Sequence, residues 1–170
     1  MENLGKMYYM RPAGKGIRLQ LGCGDYWREG SINIDMNIYG GTDMLYDIRK
    51  GLPFQPQTVE LIEAYEVLEH FSRDEAFNLL EDWKKVLIDG GVIKISVPDM
   101  DGLVDMYKTN KDQATLMIYG FVDHPNHKWG YTKESLKKLF EDHGFKDVII
   151  TQGSMPERKD EPQLLMGCKK

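Results

Sequence analysis

Two glycines flank a cysteine directly after a short alternating stretch near the start of the chain. The stretch is Ile17–Leu21, and the residues that follow it are Gly22-Cys23-Gly24. Glycine adopts positive φ readily and has no Cβ, so a ligand can lie directly against the backbone there. A second short apolar stretch ends in Asp35, a carboxylate that can accept hydrogen bonds from both hydroxyls of a ribose. The pair of features predicts a nucleoside pocket at the C-terminal ends of two neighbouring strands.

The dinucleotide-binding pattern Gly-x-Gly-x-x-Gly is incomplete, because Trp27 stands where the third glycine would fall. The missing glycine disfavours a pyrophosphate cradle and, with it, a nicotinamide-dependent oxidoreductase. A nucleoside without phosphates fits the pattern better, and an ordinary tight turn after the strand is the alternative that needs no ligand.

A cluster of acids and imidazoles follows the fourth apolar stretch. If this segment is helical, Glu66, Glu69 and His70 have the spacing i, i+3 and i+4 and share one face. His124 and His127 supply two further imidazoles later in the chain. Carboxylates with neutral imidazoles suit magnesium, manganese or zinc, whereas an imidazole alone can act as a general base towards a hydroxyl. Structural hydrogen bonding is the third alternative, and the sequence leaves all three open.

Strand patterns and helix patterns alternate along the chain, which predicts an α/β fold with a mostly parallel sheet and helices on both faces. The predicted strands cover residues 17–21, 31–35, 42–46, 59–65, 92–97, 145–151 and 163–168, the last two as an antiparallel pair. The predicted helices cover residues 75–87, 101–119 with a break near 110, and 132–143. Residues 89–91 are interpreted as the end of the first helix. Thr132 is expected to cap the last helix without a complete capping box, since Ser135 replaces the preferred Glu or Gln, and Gly144 is expected to end it.

The composition is that of one globular domain spanning residues 1–170, with 41% hydrophobic residues. The formal net charge is −5, so the basic surface typical of nucleic-acid-binding proteins is not expected. Cys23 and Cys168 have no zinc-type spacing, and we expect two reduced thiols in a cytoplasmic protein. No signal peptide and no apolar run of about 20 residues is present, so no membrane span is predicted.

The ordered set of motifs resembles the class I S-adenosylmethionine-dependent methyltransferases. The resemblance rests on Leu19-x-Leu21-Gly22-Cys23-Gly24 and on residues 33–35, 46–48, 52–54, 66–70, 90–99, 131–136 and 144–145. Residues 26–35 resemble a narrower subgroup of type 11-like methyltransferases that is often found with polysaccharide genes. The resemblance covers nearly the whole chain and implies a doubly wound, Rossmann-like, three-layer α/β/α fold with an antiparallel last strand.

The resemblance also implies roles for individual residues around S-adenosyl-L-methionine. The glycine turn would lie under the methionine and ribose, Asp35 would bind the ribose, and Asp47 would accept from the adenine amine. Gln20 stands where the family usually has an acid for the cofactor's amino group, and its amide oxygen can still accept. The complete set of implied cofactor-binding residues is Gln20, Gly22, Cys23, Gly24, Asp35, Met36, Asp47, Ile48, Tyr65 and Glu66.

The implied activity is that of an enzyme, a methyltransferase acting on a hydroxyl of a small molecule or glycan precursor, with His70, His127 and Glu66 as catalytic residues. The Glu-x-x-Glu-His spacing also resembles metal-holding methyltransferases of small-RNA 2′-hydroxyls and of quinone biosynthesis. In that alternative Glu66, Glu69, His70 and His127 would hold magnesium or manganese. The acidic composition argues against an RNA acceptor. A module that binds S-adenosyl-L-methionine without catalysis is the remaining alternative.

The residues expected to cover the site are few. Tyr8 and Tyr9 precede the first strand and can either cover the methionine end or anchor the N-terminal stretch to the core. Residues 100–129 follow the fifth strand and are expected to form the wall for the acceptor. Because few residues are expected to cover the site, we predict that the acceptor site is open, or that the second copy of a homodimer completes it.

Overall fold

The computed structural model describes residues 16–120, 126–153 and 161–170, and its centre is a seven-stranded sheet. The strand order is β3-β2-β1-β4-β5-β7-β6, and β7 runs antiparallel to the other six strands. The strands are β1 Ile17–Leu21, β2 Ile32–Asp35, β3 Met44–Leu45, β4 Val59–Tyr65, β5 Leu87–Pro98, β6 Lys146–Gly153 and β7 Gln163–Lys169. The α/β class, the mostly parallel sheet and the antiparallel closing pair were all predicted and are confirmed.

Four α-helices lie among the described residues. They are α1 Arg73–Val86, α2 Met100–Tyr107, α3 Lys111–Tyr119 and α4 Lys133–Asp142, and two 3₁₀ turns cover Ile48–Lys50 and Leu68–His70. The break predicted near residue 110 separates α2 from α3, where the Asn110 side chain accepts from the Gln113 amide and caps α3. None of the described helices has the length and hydropathy needed to cross a bilayer.

Helix α1 differs from its prediction at both ends. It begins two residues earlier, because Ser72 and Glu75 form a capping box in which each side chain accepts from the other residue's amide. It ends at Val86, where Leu87 turns extended and starts β5. The interpretation of residues 89–91 as the helix end is therefore wrong: they form an irregularity within β5, where Val59 pairs with Leu87 and Leu61 with Val92.

Helix α4 has a complete capping box, contrary to the sequence prediction. The Thr132 side chain accepts from the Ser135 amide, and the Thr132 amide donates to Ser135 Oγ at 2.9 Å. The serine side chain is shorter than that of Glu or Gln, but its hydroxyl reaches the Thr132 amide because the two residues lie in the same turn. Gly144 follows the helix with φ of 77°, as expected for a glycine that ends a helix.

Helices α1 and α4 pack against each other on one face of the sheet. The Phe77 ring lies 4.2 Å from the His143 ring, and Lys84 Nζ donates to the His143 carbonyl at 2.6 Å. The largest fully buried side chains lie in this core and include Leu19, Ile62, Trp83, Ile93 and Phe140. Residues 22–31 and 36–43, which connect β1 to β2 and β2 to β3, contain no helix.

The chain changes direction across the sheet at β1. It runs from β1 outwards through β2 to β3, returns to β4 on the other side of β1, and continues outwards to β5. Such a reversal opens a crevice at the C-terminal ends of the central strands, which is where open α/β sheets bind ligands. The residues that the resemblance implied for the cofactor all lie at this end of the sheet or in the loops that follow it.

Candidate cofactor and acceptor site

A cavity of about 1100 Å³ opens at the C-terminal ends of β1, β2 and β4. All ten residues that the resemblance implied for the cofactor line it, from Gln20 on β1 to Glu66 after β4. The acids and imidazoles implied for catalysis or metal binding line it too, namely Glu69, His70 and His127. The fold therefore brings the two predicted sets of residues into one space, and their roles remain predictions.

The glycine turn after β1 needs both of its glycines, for different reasons. Gly22 has φ of 61°, and a Cβ there would lie 2.5 Å from Val67 Cγ2. Gly24 has φ of 50°, yet a Cβ there would meet no atom within 4 Å, so this backbone faces open space. Gly22 is thus required by packing against the chain after β4, and Gly24 leaves the floor of the cavity free for a ligand.

Asp35 is held in place by two backbone amides. Its Oδ2 accepts from the Gly24 amide at 3.0 Å, and its Oδ1 accepts from the Asn37 amide at 2.9 Å. An ionised carboxylate offers about four acceptor positions, so two remain for a ligand. The carboxylate at the end of β2 is therefore oriented before any ligand binds, as a group that grips ribose hydroxyls should be.

Gln20 has an acceptor that the described chain leaves unused. Its Nε2 donates to the Tyr26 carbonyl at 2.6 Å, while its Oε1 is buried without a hydrogen-bond partner among the described residues. A buried polar group left unpaired costs about 1–3 kcal/mol, so a donor arriving there would be favourable. An ammonium group is one donor that would satisfy this acceptor.

The Asp47 carboxylate already accepts hydrogen bonds from a neighbouring side chain. Its Oδ1 accepts from Arg49 Nε and its Oδ2 from Arg49 Nη2, both at 2.8 Å. The hydrogen bonds from Arg49 hold the pKa of this carboxyl below its usual range, so Asp47 is ionised at neutral pH. Ile48 lies beside it and is buried. Any adenine amine bound here shares the carboxylate with Arg49, a cavity residue that the sequence interpretation missed.

The acid and imidazole cluster comprises Glu69, His70 and His127. One ligand atom from each residue lies within 4.8 Å of the others. Glu69 is buried, and its Oε1 lies 4.0 Å from His127 Nε2, while the His70 and His127 rings meet edge-on with centroids 4.9 Å apart. The amides of Lys128 and Trp129 donate to the Glu69 carbonyl at 2.8 and 3.1 Å, which ties the two segments together.

Glu66 lies outside this cluster, so the expectation that Glu66, Glu69 and His70 share one helical face is wrong. Glu66 has φ of 55°, a left-handed conformation that interrupts any helix before the 3₁₀ turn Leu68–His70. Its amide donates to the Ser96 carbonyl at 3.1 Å, and its Oε1 accepts from Ser96 Oγ at 2.8 Å. Glu66 still lines the cavity, but its carboxylate is fixed against β5.

Other titratable groups around the cavity are poor bases at neutral pH. Burial and a hydrogen bond to Glu63 raise the pKa of Tyr65 to about 12. Burial raises the pKa of Tyr131 further, with a smaller contribution from the charge of Glu69. Burial also raises the pKa of the Cys23 thiol. These three groups therefore stay protonated at neutral pH and do not accept a proton there.

The predicted wall for the acceptor is only partly as expected. Met117 of α3 lines the cavity together with Asn126 and His127, whereas the aromatic side chains of Tyr107, Tyr119 and Trp129 in the same stretch are exposed and do not line it. The residues expected to cover the site, Tyr8 and Tyr9, lie outside the described residues, as do His124 and Phe121.

Comparison with known proteins agrees with the fold. No protein-family model matches the chain, and no curated protein matches its sequence. Solved structures with a similar fold include a SAM-dependent methyltransferase from Archaeoglobus fulgidus, which is 18% identical, with a TM-score of 0.69 over 92% of this chain and 87% of the other. A second, from Methanosarcina mazei, is 13% identical, with a TM-score of 0.63 over 89% and 91%.

A third similar structure was solved with its ligands. It is the 1,6-didemethyltoxoflavin-N1-methyltransferase of Burkholderia thailandensis with bound 1,6-didemethyltoxoflavin and S-adenosylhomocysteine. It is 17% identical, with a TM-score of 0.61 over 94% of this chain and 72% of that one. Identities this low show a common fold, which is that of the class I S-adenosylmethionine-dependent methyltransferases.

Proposed function

We propose that this protein is a methyltransferase that uses S-adenosyl-L-methionine and methylates a hydroxyl of a small molecule or glycan precursor. One observation carries the proposal: the ten residues implied for the cofactor and the cluster of Glu69, His70 and His127 line a single cavity at the switch point of the sheet. The first is suited to holding the cofactor, and the second is suited to taking a proton from an acceptor.

The chain's own residues bind and orient the cofactor, whose sulfonium supplies the methyl group in activated form. Asp35 accepts from the ribose hydroxyls, and Gln20 Oε1 accepts from the ammonium. Asp47, with Ile48 and Met36, forms the adenine end. Because the methyl group is already activated, holding donor and acceptor in line is the largest contribution that the protein makes.

A hydroxyl acceptor must lose its proton as the methyl group arrives, and an imidazole of the cluster is the base. When the His127 imidazole takes the proton, the carboxylate of Glu69 at 4.0 Å stabilises the resulting cation. His70 lies edge-on to the same ring and orients it. Glu66, held by Ser96, lines the same cavity and is the third residue proposed for catalysis.

Ligand-induced stabilisation tests the cofactor. S-adenosylhomocysteine at about a hundred times its dissociation constant should raise the melting temperature by about 5–10 °C in EDTA. NAD and adenosine at the same concentration are the controls. Equal shifts with NAD would favour the oxidoreductase alternative, and no shift with any of the three would contradict the proposed cofactor.

Replacement of the base tests the chemistry. His127→Gln should lower kcat by about 10² to 10⁴ on an acceptor found by screening hydroxyl compounds, and leave the affinity for S-adenosylhomocysteine unchanged. The screen includes a short RNA as the rival acceptor. Binding of the cofactor with no turnover on any acceptor would favour the non-catalytic module, and methylation of the RNA alone would favour the RNA enzyme.

A second candidate is a metal-assisted version of the same reaction. The geometry that favours it is the approach of Glu69, His70 and His127 within 4.8 Å, a donor set that suits manganese. These three residues would hold the ion, and a bound cation would lower the pKa of an acceptor hydroxyl. Mn²⁺ should bind at one site per chain, lose affinity in Glu69→Gln, and keep it in Glu66→Gln. Equal binding by all three proteins would contradict the site.

The oligomeric state belongs to the same proposal. We propose a homodimer in which a second copy packs against the acceptor end of the cavity, where the aromatic side chains of Tyr119 and Trp129 are exposed. Sedimentation with and without S-adenosylhomocysteine measures it, and a monomer at all concentrations would contradict it.

A further inference from the structure

Arg28 is a cation in the cavity wall with no role in the site described so far. It belongs to the loop between β1 and β2, and its guanidinium lies 5.5 Å from the centre of the Tyr65 ring. Its amide donates to Asn33 Oδ1 at 2.7 Å, which fixes the loop against β2. Within residues 16–120, 126–153 and 161–170, no carboxylate forms an ion pair with Arg28, whereas Arg49 in the same cavity is paired with Asp47.

Arg28 and Gln20 face the same corner of the cavity. Gln20 on β1 pairs with Glu63 on β4, and Tyr65, two residues further along β4, therefore points to the same side of the sheet. The Arg28 guanidinium lies over that Tyr65 ring. The Gln20 amide group is itself bonded to the Tyr26 carbonyl, two residues before Arg28. A buried acceptor and an available cation thus stand together between β1 and β4.

We infer that Arg28 and Gln20 form a clamp for the amino-acid end of the cofactor, with Arg28 binding the carboxylate and Gln20 Oε1 the ammonium. This inference rests on the proposed function. Asp35 places the ribose at the end of β2, and the acid and imidazole cluster places the reacting methyl group after β4. The methionine chain, which leaves the same sulfur, then lies over β1 and the end of β4, where the two groups stand.

The clamp explains how the Gln20 amide can bind the ammonium of the cofactor at a position where similar proteins usually have an acid. A zwitterion needs one acceptor for its ammonium and one cation for its carboxylate. With a neutral acceptor at Gln20, the charge-assisted contact comes from Arg28, whose planar fork matches a carboxylate with two parallel hydrogen bonds. The Tyr65 ring supports the guanidinium from one side and leaves its edge free.

Two ligands that differ only in the carboxylate test the clamp. S-adenosylhomocysteine carries it, and S-adenosyl-3-thiopropylamine is the same molecule without it. By calorimetry, the wild-type protein should prefer S-adenosylhomocysteine by about 10- to 100-fold, the range of a charge-assisted hydrogen bond. Arg28→Met should lose this preference by weakening S-adenosylhomocysteine alone, and Arg28→Lys should keep part of it.

Arg18→Met is the matched control, because Arg18 is an exposed arginine on β1 outside the cavity. It should leave both affinities as in the wild type. Equal weakening of both ligands by Arg28→Met would mean that Arg28 only holds the loop, and unchanged affinities would mean that it does not touch the ligand. Either result overturns the clamp while leaving the proposed cofactor in place. Failure of the wild-type protein to bind either ligand overturns the proposed function itself.

Discussion

At the scale of single residues, the site depends on polar groups whose positions are set by the backbone. The Asp35 carboxylate is oriented by the amides of Gly24 and Asn37. The Gln20 side chain is oriented by the Tyr26 carbonyl, and its Oε1 is buried without a hydrogen-bond partner among the described residues. Groups oriented in advance lose little conformational freedom when a ligand binds, so their hydrogen bonds contribute more of their strength to affinity.

Removing the Asp35 carboxylate should weaken cofactor binding most. Asp35→Ala deletes the acceptors for both ribose hydroxyls and releases the Gly24 amide. Since hydrogen bonds to charged groups contribute about 1.5–3 kcal/mol each, the dissociation constant of S-adenosylhomocysteine should rise at least tenfold. Calorimetry measures it, with Asp105→Asn, an exposed acid on α2, as control. Affinity like that of the wild type would place the ribose elsewhere.

At the scale of elements, helix α1 shows how short-range chemistry sets a boundary. Glu75 Oε2 accepts from the Ser72 amide at 2.7 Å, and Lys128 Nζ lies 3.0 Å from the same atom. The box therefore caps α1 and also links it to the segment that carries His127. These contacts hold the pKa of Glu75 below its usual value, with the Ser72 amide as the main cause and Lys128 second.

The depressed pKa of Glu75 makes the helix start sensitive to acid. A carboxyl whose folded pKa is lowered stabilises the fold above its unfolded pKa of about 4.3, and this contribution is lost as the pH falls through the folded value. Urea unfolding between pH 6 and pH 3 should therefore show a smaller acid-induced loss of stability in Glu75→Gln than in the wild type. Glu134→Gln, an exposed acid in the first turn of α4, is the control, and identical pH profiles would contradict the linkage.

At the scale of the whole molecule, the floor of the cavity depends on contacts between distant segments. The turn after β1 and the turn after β4 meet where Gly22 faces Val67, and the segment after α3 is tied to Glu69 by two amides. The two halves of the site are thus parts of one packed unit. A substitution in one turn should therefore change the effect on stability of a substitution in the other turn.

A double-mutant cycle tests this coupling. Gly22→Ala places a methyl group against Val67 at positive φ and should cost about 1–3 kcal/mol of stability. Val67→Ala removes the opposing methyl groups, so the double variant should be less destabilised than the sum of the two by at least about 1 kcal/mol. Urea unfolding measures all four proteins. Additive losses would show that the two turns do not press on each other.

The local patterns of the sequence were sufficient for the order of the strands and main helices, and they singled out the glycine turn and Asp35, which line the cavity. Alternation of apolar residues places β1 correctly, although Gln20 on its polar side is also buried because β1 lies at the centre of the sheet. The carboxyl ends of neighbouring parallel strands must meet at one edge, so Gly24 and Asp35 could be brought together without coordinates. The start of β5 was predicted too late, because two consecutive glycines occur both at the ends of helices and at irregularities within strands.

Features that depend on groups far apart in the chain could be recognised only in the tertiary structure. Glu66 was grouped with Glu69 and His70 by spacing, but its bonds to Ser96 and its left-handed backbone separate it from them. Arg28 is recognisable as a site residue only once Tyr65 lies beneath it. Side-chain spacing determines neighbours only within a regular helix or strand, whereas a loop residue finds its neighbours when the whole sheet has assembled.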